Sequence, residues 1–322
     1  MPPNVVIITL HDSGRFMGCY GHDWLNTPSI DALARDAVRL TNLYSTCCIC
    51  SPSRASMLTG RHPASHGVMH LPDGKGNWEL RNPREHLSHV LKSHGYDTAL
   101  CGMQHEAADV ATLGFDHHAM RASDDPGTGN AGADIVARAA AEYLHGRAGN
   151  ARPFYLQVGF HETHTPYSYG GASPDDPGSV VVPPYVVDND AARHHLAGFK
   201  SCLALADRAV GIILDALRGA GLEGDTLVVF TADHGEMASE MGCWAKGTGS
   251  YDAINRVPLV VRLPGRIPAG SVRPEATSNV DPRGGPRLAR RAFPAGLRRQ
   301  AGARAGAPTA DIATVTRATR QD

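Results

Sequence analysis

Short runs of β-branched and aromatic residues alternate along this chain with longer segments whose apolar residues recur at helical spacing. That alternation is the pattern of helices packed on a mainly parallel sheet, because parallel neighbours need a crossover long enough to hold a helix. Strands are expected at residues 5–10, 98–101, 154–160, 226–231 and 257–262, and helices at 28–37, 53–59, 86–93, 134–144 and 191–218. The expected fold class is therefore α/β, a largely parallel central sheet flanked by helices. In the last helix Leu203, Leu205, Val210, Ile213, Leu214 and Leu217 share one face, which should pack on the sheet. Residues 172–184 are rich in Asp, Pro, Gly and Ser and read as a loop that could close over a cleft.

With 322 residues, the chain can bury a large core. Its formal net charge of −1 gives no global attraction to nucleic acid or to an anionic membrane, so neither is expected as a partner. The opening Met1-Pro2-Pro3-Asn4 has no basic region, and the apolar run after it is too short for a signal segment or a membrane span. Seven cysteines, three of them crowded as Cys47, Cys48 and Cys50, do not resemble a disulfide framework. A cytoplasmic location is the expectation.

The densest chemistry lies in Cys50-Ser51-Pro52-Ser53-Arg54-Ala55-Ser56-Met57-Leu58-Thr59-Gly60-Arg61. Ser51 suits an N-cap, Pro52 the first helical position and Gly60 the helix exit, which puts Cys50 just before a helix N-terminus. Free backbone N–H groups there favour an anion, and Arg54 adds a forked donor one turn in. A thiol in that place is reactive; a core cysteine beside a structural helix fits the same residues equally well. A zinc site on Cys47 and Cys50 lacks the second pair of ligands that structural zinc requires. The run His161-Glu162-Thr163-His164 misses the helical H-E-x-x-H spacing of a zinc protease.

The string from Cys50 to Arg61 resembles the modification motif of type I sulfatases, C-x-P-S-R-x-x-x-L-T-G-R. The resemblance runs in order from about residue 4 to residue 281. It takes in His11-Asp12-Ser13-Gly14-Arg15, Gly102-Met103-Gln104-His105, His164-Thr165-Pro166, Asp233-His234-Gly235, Lys246 and Arg256-Val257-Pro258-Leu259. It implies an alkaline-phosphatase-like fold and a sulfuric ester or N-sulfo hydrolase. The nucleophile would be formylglycine, made from Cys50 by a formylglycine-generating enzyme.

The same resemblance implies that Asp12, Asp233, His234 and residue 50 hold a divalent metal, calcium by family pattern, with Mg²⁺ or Mn²⁺ as alternatives. His11 stands where the family has its first aspartate, and its part as a ligand stays open. Taken alone, Asp12 and Asp233 at strand ends could equally cap the turns that follow. Arg54, His105, His164 and Lys246 would surround the sulfate as clamps and proton carriers. Met103 replaces a family lysine. The substrate would be a small aryl or sugar sulfate. A phosphoester or phosphonate hydrolase of the same architecture is the alternative enzyme, and an inactive anion-binding homologue the alternative outside catalysis.

Residues 1–281 are thus expected to form the catalytic domain. From residue 282 to 322 the chain becomes a mixture of Arg, Ala, Gly and Pro without apolar periodicity, expected to be disordered. The family's apolar helix should begin near residue 277, and its smaller C-terminal subdomain is expected to be missing. A frameshift in the coding DNA would account for both; the alternative is an authentic basic tail that binds an acidic partner.

Overall fold

The computed structural model describes residues 2–72, 77–119, 132–168, 172–246 and 249–280. The tail expected to be disordered lies outside the described residues. Nine strands form one sheet: β1 (Asn4–Leu10), β2 (Val38–Tyr44), β3 (Asp97–Gly102), β4 (His117–Ala119), β5 (Phe154–Gly159), β6 (Thr226–Ala232), β7 (Arg256–Arg262), β8 (Ser271–Arg273) and β9 (Thr277–Ser278). Their spatial order is β4-β3-β5-β1-β6-β7-β2-β8, with β9 also paired to β2. β7 runs antiparallel to β6 and β2; the other pairs are parallel. The expected α/β class and largely parallel sheet are what the chain adopts.

β1, flanked by β5 and β6, is buried along nearly its whole length, as a strand covered on both faces must be. The helices are α1 (Pro28–Arg35), α2 (Cys50–Thr59), α3 (Pro63–His66), α4 (Leu87–Ser93), α5 (Ala133–His145), α6 (Asp190–Gly219) and α7 (Asp252–Asn255). The apolar face of α6 enters the same core as β1, β5 and β6, but its close neighbours are α5 and α1, not the sheet alone. Leu205 is only half-buried.

Four sequence readings change. β2 was not anticipated, although Val38 and Leu40 alternate with Arg39 and Thr41; a register shift between Leu40 and Leu43 breaks the period that would mark a strand. Residues 172–184 lie along α6 instead of over a cleft, with Val180 packed on Leu196 and Ala197 and the Asp175 amide donating to Ser201 Oγ at 2.7 Å. At 277 a short strand pairs with β2 where the resemblance places a helix.

The fourth change concerns α2. It begins at Cys50 itself, with Ile49 in the capping position, so Ser51 is no cap and its hydroxyl is buried without a partner among the described residues. Pro52, now at the third helical position, is tolerated because first-turn amides have no acceptor within the helix.

Candidate active site

The carboxyl ends of four adjacent strands, β3, β5, β1 and β6, open on one side of the sheet, and each releases site residues there. From β1 come His11 and Asp12, from β3 His105, from β5 His161 and His164, and from β6 Asp233 and His234. Open α/β sheets place ligands at such edges, since loops leaving parallel strands diverge around a crevice. α2 brings Cys50 and Arg54, and the β6–β7 connection brings Lys246.

One ligand atom from each of His11, Asp12, Cys50, Asp233 and His234 lies within 4.8 Å of all the others, every residue being buried. Cys50 Sγ is 2.9 Å from His11 Nε2, 3.3 Å from His234 Nε2, 3.1 Å from Lys246 Nζ and 4.0 Å from Asp12 Oδ1. Lys246 Nζ also donates to both Asp12 oxygens, at 2.9 and 2.7 Å. Asp233 Oδ1 accepts the backbone amides of Asp12 and His234, and Oδ2 accepts Arg54 Nε at 2.8 Å. Arg54 Nη2 is buried with no partner among the described residues, leaving a donor within the site.

The two carboxylates dominate the electrostatics. Burial would raise the Asp233 carboxyl, but Arg54, His234 and Lys246 hold it well below its usual range. Burial would lower His234, yet Asp12 and Asp233 push it up to about 10. His11 goes the other way, driven well down by burial and by the charges of Arg54 and Lys246. His11 is thereby kept as a neutral imidazole, with the lone pair of one ring nitrogen to offer a cation.

This donor set fits a divalent cation. Two carboxylates and two imidazoles converge, and the negative charge the carboxylates concentrate is enough to draw the Lys246 ammonium onto both Asp12 oxygens. Cys50 adds its Sγ as a fifth converging atom. Oxygen donors suit calcium or magnesium, whereas imidazoles favour Mn²⁺ or Zn²⁺.

Every residue that the sequence singled out is brought into this place. His164 Nε2 lies 3.7 Å from Asp12 Oδ2, and its ring is 4.6 Å from that of His11. His105 meets His11 edge to face at 5.3 Å. Burial, then the charge on Arg54, brings His105 down to about 4. Met103 is fully buried; among the described residues, Arg54 and Lys246 are the only Arg or Lys side chains placed against the site carboxylates.

Sequence reasoning missed three residues. His161, weighed only as part of a zinc motif, sits 6.3 Å from His105 and is pushed down to about 3 by burial and by His105. Its place directly after β5 was the available signal. Glu106 is fully buried, accepts the His105 amide at 3.1 Å, and is raised by burial against the pull of Arg54. Glu236, also buried, follows the Asp233-His234 pair and reaches the loop that carries Lys246.

Residues 3–282 match the profile of the family described as Sulfatase. The chain is 31% identical to an ulvan-active sulfatase of Formosa agariphila, over 82% of this chain and 56% of that protein. It is 30% identical to the human N-sulphoglucosamine sulphohydrolase, over 73% of this chain and 51% of the relative. It thus spans little more than half the length of these curated relatives. A Bacteroides thetaiotaomicron structure solved in work on glycosaminoglycan metabolism (BT33494S-sulf) shares the fold, with a TM-score of 0.74 and 24% identity over 87% of this chain and 71% of that one. Sheet, site and comparisons agree, and the chain belongs to the sulfatase family.

Proposed function

We propose that this protein hydrolyses sulfuric ester or N-sulfo bonds and releases inorganic sulfate. Cys50, converted to formylglycine by a formylglycine-generating enzyme, supplies the nucleophile. Asp12, Asp233, His234 and residue 50, joined by His11, hold a divalent cation. The observation that carries the reading is the position of Cys50: first residue of α2, with His11, His234 and Lys246 all within 3.3 Å of its sulfur.

When bound, the cation lowers the pKa of an oxygen on residue 50 and draws charge from the sulfate oxygens. Asp12 and Asp233 orient the cation, and their own positions are fixed by Lys246 and by Arg54 with two backbone amides. Arg54 keeps Nη2 free to bind an anion oxygen, and Lys246 can move its ammonium from Asp12 to the sulfate. Both donors act where charge develops, inside a site nearly closed to water.

His105, neutral at pH 7, suits a base that takes a proton from residue 50. His164, whose side chain is 28% exposed, stands at the open edge, where a leaving group departs and needs a proton. The aryl and sugar sulfates of the relatives share only the sulfuryl group, which is the part these residues address.

The test is mass spectrometry of the Cys50 peptide from protein co-expressed with a formylglycine-generating enzyme, followed by assay on 4-nitrophenyl sulfate and sulfated glucosamines. Conversion of the thiol to the aldehyde removes about 18 Da, and addition of water to the aldehyde gives the geminal diol whose oxygen is the nucleophile. An unmodified thiol together with turnover of phosphate or phosphonate esters would move the protein to the phosphatase-like reading. A converted residue that binds sulfate without turnover would make it an anion-binding homologue.

A further inference from the structure

Lys246 is held by a clasp whose key is Glu236. This carboxylate is 1% exposed and lies two residues past His234. Its Oε1 accepts the backbone N–H of Ala245, the residue before Lys246, and stands 3.5 Å from the Ala238 amide. In return the Met237 amide donates to the Ala245 carbonyl at 3.1 Å. The hairpin between is closed by Ser239 N–H to the Cys243 carbonyl and Cys243 N–H to the Glu240 carbonyl, each at 3.0 Å.

Ala245 has φ 62°, a left-handed conformation that a residue with a Cβ adopts only when its surroundings hold it. The carboxylate of Glu236 and the amide of Met237 hold it from both sides. The next residue sends its ammonium to Asp12 and Cys50.

We propose that Glu236 is a positioning residue for sulfate binding, acting through Ala245 to place Lys246. This rests on the reading above in which Lys246 holds a sulfate oxygen. The reach of the acceptor oxygen is what places Ala245, because its hydrogen-bond partner is a backbone N–H; the imidazole facing it, His195 Nε2, stands 3.8 Å away, beyond hydrogen-bond distance.

Two substitutions separate those properties: Glu236→Gln keeps an oxygen at full reach without charge, and Glu236→Asp keeps charge but withdraws the oxygen by one methylene. Inorganic sulfate binding is measured by calorimetry on metal-loaded, formylglycine-bearing protein. Glu236→Gln is expected to stay within about 3-fold of wild type and Glu236→Asp to weaken sulfate about 10-fold, as loss of a well-placed charged donor does. In a Lys246→Ala background Glu236→Asp should add less than about 2-fold, the coupling expected of residues acting as one unit.

The reverse order, equal effects of the two substitutions, or an undiminished loss in Lys246→Ala overturns the proposal. Turnover of 4-nitrophenyl sulfate is read separately: wild-type protein that binds sulfate but hydrolyses nothing removes the functional reading and leaves the binding series to judge the clasp.

Discussion

At the scale of single residues the site is a set of charges that compensate one another only while all are present. Asp233 shows this best, since it accepts two backbone amides and Arg54 while facing His234. Asp233→Ala would leave Arg54 buried without its hydrogen-bonded carboxylate, with Glu106 as the remaining negative group acting on it, and removing one partner of a buried ion pair costs about 3–5 kcal/mol. Asp233→Ala and Cys50→Ala are each expected to abolish sulfate ester turnover; full activity in either variant sinks the catalytic reading. Arg54→Lys keeps the charge but not the shape, because an ammonium gathers its three N–H groups at one point and cannot span Asp233 and an anion as the guanidinium fork does. Its kcat should fall on the order of 10²-fold, the cost of losing one preorganised donor. A kcat unchanged by Arg54→Lys would remove the sulfate-clamping role of the free guanidinium nitrogen.

At the scale of elements, much of this arrangement was legible in the sequence, for reasons that differ from place to place. Strands β1, β3, β5, β6 and β7 announced themselves because strands buried on both faces read as continuous apolar runs, and the site residues fell after the first four. The start of α2 was misread because Ser51 and Pro52 imitate a cap, whereas packing buries the whole helix and makes local preference secondary. Glu236 and Glu106 were invisible because their partners are backbone amides, which no side-chain pattern reports.

Close approach of elements is equally hidden. A Cβ on Gly159, at the end of β5, would lie 2.0 Å from the Met103 carbonyl oxygen and 3.4 Å from Arg54 Nη1. Gly159→Ala should therefore destabilise by about 3 kcal/mol and displace Arg54; a variant with unchanged denaturation midpoint and unchanged kcat would contradict that packing.

The α2–α3 contact carries a pH dependence. His66 is buried, accepts the Val68 amide on Nδ1 and meets Ser56 Oγ with Nε2 at 3.0 Å, and burial lowers its pKa to about 4. The folded-state pKa lies below the unfolded value of 6.5, so the unfolded chain binds the extra proton. The stabilisation is present above pH 6.5 and is lost as pH falls toward 4, at up to about 1.4 kcal/mol per unit. In urea denaturation His66→Gln should lose less stability than wild type between pH 7 and pH 5. Equal losses would mean that His66 already protonates in the fold.

On the scale of the whole molecule, one sheet edge gathers groups from chain positions as far apart as His11 and Lys246, so cation binding and folding are thermodynamically linked. Asp12 and Asp233 are brought together at the cost of their repulsion, which Lys246 and Arg54 relieve. A divalent cation would relieve it further, would leave Lys246 available to an anion, and would bind a folded chain far better than an unfolded one whose ligands are dispersed. Its presence at a hundredfold excess over Kd should add about 2.7 kcal/mol of stability, on the order of 4–5 °C in Tm for a domain of this size. Calorimetric scans with chelator and then with Ca²⁺, Mg²⁺, Mn²⁺ or Zn²⁺ would rank the ions without relying on turnover. Asp12→Ala should erase the increment for whichever ion gives the largest, while His11→Ala should reduce it if the imidazole is a ligand and leave it intact if His11 only packs. A Tm that no ion moves in the wild-type protein would mean that the five converging side chains form a proton and ammonium network, and the cation would have no place in the chemistry of this site.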